Sequence, residues 1–443
     1  MATASNVNEL KGNPINSKQG MNILWLCNIM LPRIGKTLGQ PYYSIGGWLT
    51  GMSEELAKTP GINLTVVFPQ TFSKSLISGK TELYSFYGFP KDDHHLPDNG
   101  GKTIQLFRNI IRQICPDIIH IFGTENVHTN YMIHASSEEG LLDHTVINIQ
   151  GLASAIADSY YAGLPEKIIS DYTFRDLYKN NGLKEQKEVF VQKGINEIDA
   201  IKTVHHVIGR TDWDCEICHK YHPDINYHYC SETLRNTFYE NTWSYNDCQK
   251  HSIFLSQVNY PVKGFHKVLQ AMPCILRKYP DTQILTTGPD LIHLGLKGTI
   301  KQTSYVKYLR ELIKKHKLQE HITFLGTLDE QKMCKEYLKA NVFICPSSIE
   351  NSSNSIGEAM LLGTPVIASD VGGTRSILGN DANEQMYSFL DTKALADEVT
   401  HIFDIEKDAE TISASERNRA RELYDPETNN DCLIEIYHKI IQR

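Results

Sequence analysis

Two carboxylates and one ammonium stand at positions where chemistry is expected. Glu350 and Glu358 bracket a run of amides and hydroxyls, Asn351 to Ser355, and a helix-favouring stretch, Ala359-Met360-Leu361-Leu362, follows and ends at Gly363. Ser353 to Ile356, with Asn354 and Ser355 between them, fall at the helix N-terminus, where unpaired N–H groups take phosphate oxygens. Glu358, in the first turn, can accept from two vicinal hydroxyls such as a ribose diol. Glu350, at a strand end, can bind sugar hydroxyls. Lys263 precedes Gly264 at the entrance of another helix, where a mobile cation adds to the pull of the helix dipole on an anion. Gly46-Gly47 opens a helix after the first strand, and glycine lets backbone approach a ligand closely. Each feature alone has a plainer explanation: acidic first-turn residues stabilise helices, and a lysine beside a helix start is ordinarily solvated. Together they compose a site for a diphosphate with a ribose on one side and a sugar on the other.

These residues need a frame that gathers strand ends. Continuously apolar runs, 21–30, 62–69, 116–123, 144–151 and 205–210, read as strands, with helices over 46–58 and 103–115. The pattern restarts with strands at 251–257, 282–288, 321–326, 342–347 and 365–370 and helices at 264–279, 303–318 and 330–340. Short apolar strands alternating with helices predict parallel sheets covered on both faces. Residues 220–250, poor in aliphatics, read as the join, and 429–442 as one amphipathic helix. Two such α/β domains face each other across a cleft, and ligands bind there beyond the carboxyl ends of the strands. Strand-end residues therefore become candidates: Gln257, Gly288 and Gly326 on the donor side, Arg210 beside them, and Gln150 and Glu125 on the opposite wall.

The chain of 443 residues is 41% apolar and 22% charged, ordinary for a soluble two- or three-domain protein. A net charge of −8 argues against nucleic acid as the main partner. The apolar run 21–32 is about half of the ~20 residues a bilayer requires, and residues 1–20 lack the apolar centre of a signal peptide and are expected to be flexible. A cytoplasmic protein is expected. Ten cysteines are scattered along it. Cys215, Cys218, His219, His222, His228 and Cys230 invite a zinc reading, but no second closely spaced ligand pair follows, so reduced thiols and no metal are expected.

The Glu350–Glu358 spacing resembles the E-x7-E motif of retaining GT-B-fold glycosyltransferases, most closely family 4. "VNYPVKGFHKVL" is similar to the family's donor-phosphate loop and "EAMLLGTPVIASDVGG" to its continuation, while "PDIIHIFGTE" and "HHVIGRTDWD" resemble members that build bacterial capsular or exopolysaccharides. The likeness covers residues 21–443, most strongly 251–375. It implies two Rossmann-like domains, 1–245 and 246–424, with the helix of 425–443 crossing back to the first. It also implies transfer of a sugar, from a UDP-sugar by preference, to a saccharide or lipid-linked saccharide acceptor, with retention and without a cofactor or obligatory metal. Under it, Lys263 and Glu350 are catalytic, Lys263 on the phosphate and Glu350 on the sugar; Glu358 holds the ribose, and Gly46 and Gly47 cover the diphosphate. Two positions depart from the common pattern. Gln257 stands where many members carry an arginine, which Arg210 could replace, and Gln150 where many carry a cleft histidine. Asp212-Trp213-Asp214 resembles a D-x-D metal motif of another fold, but Thr211 with Asp214 reads as a capping box at a helix start.

Three rivals remain. A UDP-sugar epimerase of the same fold needs acid–base groups that Gln150 and Gln257 do not supply. An NAD-dependent oxidoreductase needs a G-x-G-x-x-G loop after the first strand, which is missing. A non-catalytic scaffold is disfavoured by the intact Lys263, Glu350 and Glu358. Acceptor contacts are expected from the loops 70–100 and 152–195. The segment 174–194, basic and partly aromatic, reads either as a solvated helix pair or as a peripheral contact with an anionic membrane.

Overall fold

The computed structural model describes residues 20–40, 47–91, 100–258, 260–379, 382 and 385–442. Gly46 and residues 1–19 lie outside them. The strands form two sheets. The first contains β1 (Met21–Leu26), β2 (Ile62–Gln70), β3 (Ile77–Lys80), β4 (Ser85–Pro90), β5 (Ile118–Phe122), β6 (Thr145–Asn148), β7 (His206–Gly209) and β8 (Asn226–Tyr229), in the order β3-β4-β2-β1-β5-β6-β7-β8. All neighbours are parallel except β3 with β4. The second contains β9 (Ser252–Leu255), β10 (Gln283–Thr286), β11 (Ile322–Phe324), β12 (Val342–Cys345), β13 (Val366–Ser369) and β14 (Met386–Tyr387), in the order β11-β10-β9-β12-β13-β14, all parallel. Each order reverses at its first strand, β1 or β9, the place where crossovers leave to opposite sides and a crevice opens.

The central strands are buried along their whole length (Ile118 to Phe122, Val342 to Cys345), which is why they read as unbroken apolar runs. Two parts of the first half differ from expectation. The stretch 70–100, read as a loop, holds β3 and β4. Gly88 and Pro90 look like turn residues, but Gly88 gives the room that Ile77 and Phe68 need across the pairing. The join contains β8, whose sequence Asn-Tyr-His-Tyr suits an edge strand that is not fully covered.

The first half also reaches across to the second. Tyr160, Ile168 and Leu183 sit in one apolar cluster with Val268, Leu269 and Tyr305, and Ser348 Oγ donates to Ser159 O at 3.1 Å. In the other direction, the Pro426–Ile441 helix lays Leu433, Ile436, Tyr437 and Ile440 against Ile23 and Trp25 of β1. The Tyr437 hydroxyl accepts from the Trp25 indole N–H at 2.9 Å and shares a hydrogen bond of 2.6 Å with His120 Nδ1. Burial pushes His120 down to about 3, so its ring is neutral and can accept. Tyr437→Phe is expected to lower stability by about 1–3 kcal/mol, because it strands a buried indole N–H. Urea unfolding monitored by tryptophan fluorescence would read this.

Candidate active site

The loop after β9 and the loop after β12 are held together by backbone contacts. Ser348 N–H donates to Val262 O at 2.8 Å. Gly264 has φ +68°, and a Cβ on it would lie 1.6 Å from Pro346 O, so only glycine fits where the two loops touch. A second glycine works from the other side. Gly372 has φ +52°, a Cβ there would meet Glu350 O at 2.0 Å, and the next N–H, of Gly373, donates to that same carbonyl at 3.0 Å. The Lys263 loop, the Glu350 loop and the "DVGG" turn after β13 are thereby locked into one rim.

That rim brings the two residues expected to be catalytic into contact. Lys263 Nζ lies 2.5 Å from Glu350 Oε1, and Ser347 Oγ donates to the same oxygen at 2.6 Å. Burial acts to lower the Lys263 pKa, but the Glu350 carboxylate beside it reverses this and holds the ammonium well above the ordinary lysine value. Gln257, Ser256, Ser347, Ser353 and Ser355 line the same recess, which encloses only about 20 Å³. The Asn354–Leu362 helix begins here, and no side chain caps it; the Ile356 N–H donates to Ser353 O at 3.0 Å, which leaves the Asn354 and Ser355 N–H groups for another acceptor. Asn354 and Ser355 are at its mouth; Ser355 Oγ accepts from Ser256 Oγ at 2.9 Å. Ile356 is fully buried and its N–H already donates to Ser353 O at 3.0 Å. Gly47 begins the Gly47–Lys58 helix. Gly288 and Gly326 lie two residues beyond β10 and β11 and pair with each other, Gly288 N–H donating to Gly326 O at 2.9 Å.

Glu358 is not a free carboxylate. Its Oε1 accepts from Arg235 Nε at 2.8 Å and Nη2 at 2.6 Å, and the Arg235 guanidinium also lies over the Phe238 ring at 4.8 Å. Burial pushes the Glu358 carboxyl up to about 7, with Arg235 drawing it back down. Sequence reasoning missed Arg235. Its only sequence signal is an isolated arginine within the aliphatic-poor join, 123 residues before its partner.

Arg210 does not supply the spare positive charge expected of it. Its guanidinium is almost wholly buried, pairs with Glu232 at 2.5 Å, and donates to Ile149 O and Gln150 O at 3.2 and 2.9 Å. Burial raises the Glu232 pKa, while Arg210 and the Gln150 and Asn354 amides favour its charged form. The charge of Arg210 is thus spent on a buried pair in the seam between the halves. Gln150 donates to Asn148 Oδ1 at 2.5 Å, and Glu125 accepts from the Asn126 amide at 2.8 Å. Both lie at strand ends of the first sheet, beyond β6 and β5.

Asp214 is a helix-start residue. Thr211 Oγ1 accepts from its N–H at 3.0 Å; its carboxylate takes the Tyr227 hydroxyl at 2.5 Å and, in place of the Thr211 N–H of a full capping box, the Arg210 N–H at 3.2 Å. Cys215, Cys218 and His219 lie along the Asp212–Tyr221 helix, with His219 bonded to Cys215 O. Among the described residues no three His, Cys, Asp or Glu side chains gather as a metal set.

Residues 243–419 match the family model for glycosyl transferases group 1. Over 180 residues the chain is 26% identical to spore coat protein SA of Bacillus subtilis, spanning 40% of this chain and 46% of that one. Over 149 residues it is 31% identical to phosphatidyl-myo-inositol mannosyltransferase of Mycobacterium leprae, spanning 33% and 36%. The chain thus spans less than half the length of these relatives. In whole-chain fold it is similar to sucrose-phosphate synthase from Thermosynechococcus elongatus (TM-score 0.68, 17% identity, covering 95% of this chain and 99% of that one). It is likewise similar to Anabaena HepE in complex with UDP and glucose (TM-score 0.63, 16% identity, covering 94% and 99%). The fold is GT-B, two Rossmann-like α/β domains facing each other.

Proposed function

We propose that this protein is a retaining glycosyltransferase that moves a sugar from a nucleoside diphosphate sugar, UDP-linked by preference, to a saccharide or lipid-linked saccharide acceptor. The observation that carries the reading is the Lys263–Glu350 pair at the mouth of an uncapped helix, beside Gln257 and Ser355. The group 1 match over 243–419 and the UDP and glucose bound by the Anabaena neighbour support it.

In the free protein Glu350 neutralises Lys263 and closes the recess. A donor diphosphate takes the place of Glu350 at the ammonium, which frees that carboxylate to turn to the sugar hydroxyls. As the bond from the anomeric carbon to the phosphate oxygen breaks, Lys263 and the first-turn N–H groups stabilise the charge that gathers on the diphosphate. The acceptor oxygen bonds the anomeric carbon on the same face, and the departing phosphate oxygen takes its proton. No protein base is assigned.

Thermal-shift titration with UDP-, GDP- and dTDP-sugars tests the reading. The UDP-sugar is expected to give the largest rise, worth about 2.7 kcal/mol at one hundred times its Kd. Absence of any stabilising nucleotide sugar would sink the proposal. Incubation with donor alone separates an epimerase, which would yield an isomeric sugar nucleotide, from a transferase, which yields at most slow hydrolysis. Turnover is expected to persist in EDTA, since Lys263 and the helix mouth supply the positive charge a metal would bring. Loss of activity restored by Mn²⁺ or Mg²⁺ would assign that charge to a metal instead.

A further inference from the structure

Five of the six most exposed large apolar side chains among the described residues lie on two short helices that touch each other. Phe174, Leu177 and Tyr178, 72, 66 and 76% exposed, are on the Phe174–Lys179 helix of the first half. Leu296 and Ile300, 87 and 59% exposed, are on the Gly295–Lys301 helix of the second. The helices are packed side by side. Thr173 Oγ1 donates to Gln302 O at 2.8 Å, and Ser304 N–H donates to Asp176 Oδ2 at 2.8 Å. The Phe174 and Tyr178 rings stack at 6.5 Å. An apolar cluster built from residues more than a hundred positions apart is not a frayed terminus, and it lies open to solvent.

The exposed charges on the two helices have one sign. Arg175, Lys179, Lys297 and Lys301 are the cations of the two helices. The only acid on them, Asp176, is fully buried, caps its own helix, takes the Ser304 N–H and lies 3.4 Å from the Arg175 guanidinium. Beside the Gly295–Lys301 helix a groove of about 350 Å³ is bordered by Arg310 and Lys314, by Lys307, which pairs with Asp171 at 2.7 Å, and by one acid, Glu311. This basic fringe belongs to a chain of net charge −8, so it is a local feature. Two later lysines of 174–194 lie over other rings, Lys187 over Tyr161 at 4.8 Å and Lys193 over Phe190 at 5.8 Å.

We propose that this two-helix face docks the protein on an anionic lipid bilayer. Phe174, Leu177, Tyr178, Leu296 and Ile300 enter the boundary between headgroups and chains, and Arg175, Lys179, Lys297 and Lys301 lie at the level of the phosphates. A second copy of the chain is the poorer occupant, because an isologous contact would bring the same cations together. No helix of the described residues is long and apolar enough to cross a membrane, so the contact is a surface one.

Flotation of the full chain with vesicles tests this, comparing phosphatidylcholine alone with phosphatidylcholine containing about one third phosphatidylglycerol. Binding is expected only to the anionic vesicles and weakens as salt rises. The double variant Phe174→Ser/Leu296→Ser should lose more than about tenfold in partitioning, with its Tm little changed because both side chains are largely exposed. Lys297→Glu/Lys301→Glu should lose a similar factor with the apolar face intact. Equal binding to both vesicle types, no binding by the unaltered protein at low salt, or full binding by either variant would overturn the proposal. So would a dimer in sedimentation that Leu296→Ser dissolves, which would give the face to a second copy.

Discussion

Lys263→Ala is expected to cut sugar transfer by more than tenfold while the protein still folds. Lys263 is a cation that meets both the Glu350 carboxylate, at 2.5 Å, and the recess at the mouth of the Asn354–Leu362 helix. Removing a positioned charge from a developing anion costs on the order of 2–4 kcal/mol in the transition state. The variant leaves Glu350, 14% exposed at its side chain, without its cation. The Ser347 hydroxyl still donates to it, and the backbone locks at Gly264 and Gly372 are untouched. A modest fall in Tm is therefore expected, and Lys263→Ala/Glu350→Gln should recover it without restoring turnover. That pair of results separates lost chemistry from lost folding. Steady-state kcat/KM for the single variant near that of the unaltered protein would remove Lys263 from the mechanism.

What could be read from the sequence follows from which contacts are local. Parallel strands buried on both faces announce themselves as apolar runs, and in such a sheet their ends gather at one edge. The spacing from the β9 run to Lys263 and from the β12 run to Glu350 was therefore enough to bring these residues, Gln257 and Ser355 to one recess. The charges that reach the site from elsewhere were not legible. Arg235 meets Glu358 only because the join folds back beneath the second domain, and Glu232 meets Arg210 in the seam between the halves. Neither pair has a periodicity or a short spacing to betray it. The same is true of the edge strands β3 and β8. Ile77–Lys80 and Asn226–Tyr229 are four residues each and largely uncovered, so their sequences carry little of the apolar signal that marks a central strand. The exposed face was half legible: Phe174, Leu177 and Tyr178 stand in the basic segment, but Leu296 and Ile300 join them only through tertiary packing.

The two glutamates are expected to separate by which kinetic constant they move. Under the proposed placement Glu358 holds the ribose diol and Glu350 touches the transferred sugar. A ribose contact is made equally in ground and transition states, so Glu358→Gln should mainly raise the donor KM, by about tenfold or more for a charged acceptor lost from two hydroxyls. A carboxylate near the anomeric carbon also favours the positive charge of the transition state, so Glu350→Gln should mainly lower kcat. The free nucleoside diphosphate has the ribose and no sugar. Its calorimetric affinity should fall in Glu358→Gln and barely change in Glu350→Gln. Arg235 sharpens the test. Burial pushes the Glu358 carboxyl up to about 7 with Arg235 beside it, so the carboxylate that best accepts the diol is completed only as pH rises through that value. Affinity for the nucleoside diphosphate should therefore strengthen between pH 6 and pH 8, and Glu358→Gln should remove that part of the pH dependence while Glu350→Gln keeps it. If calorimetry gives the reverse order, with Glu350→Gln losing the nucleotide and Glu358→Gln retaining both affinity and its pH dependence, the donor lies the other way round along the helix mouth, with its sugar toward Arg235 and its ribose toward Lys263.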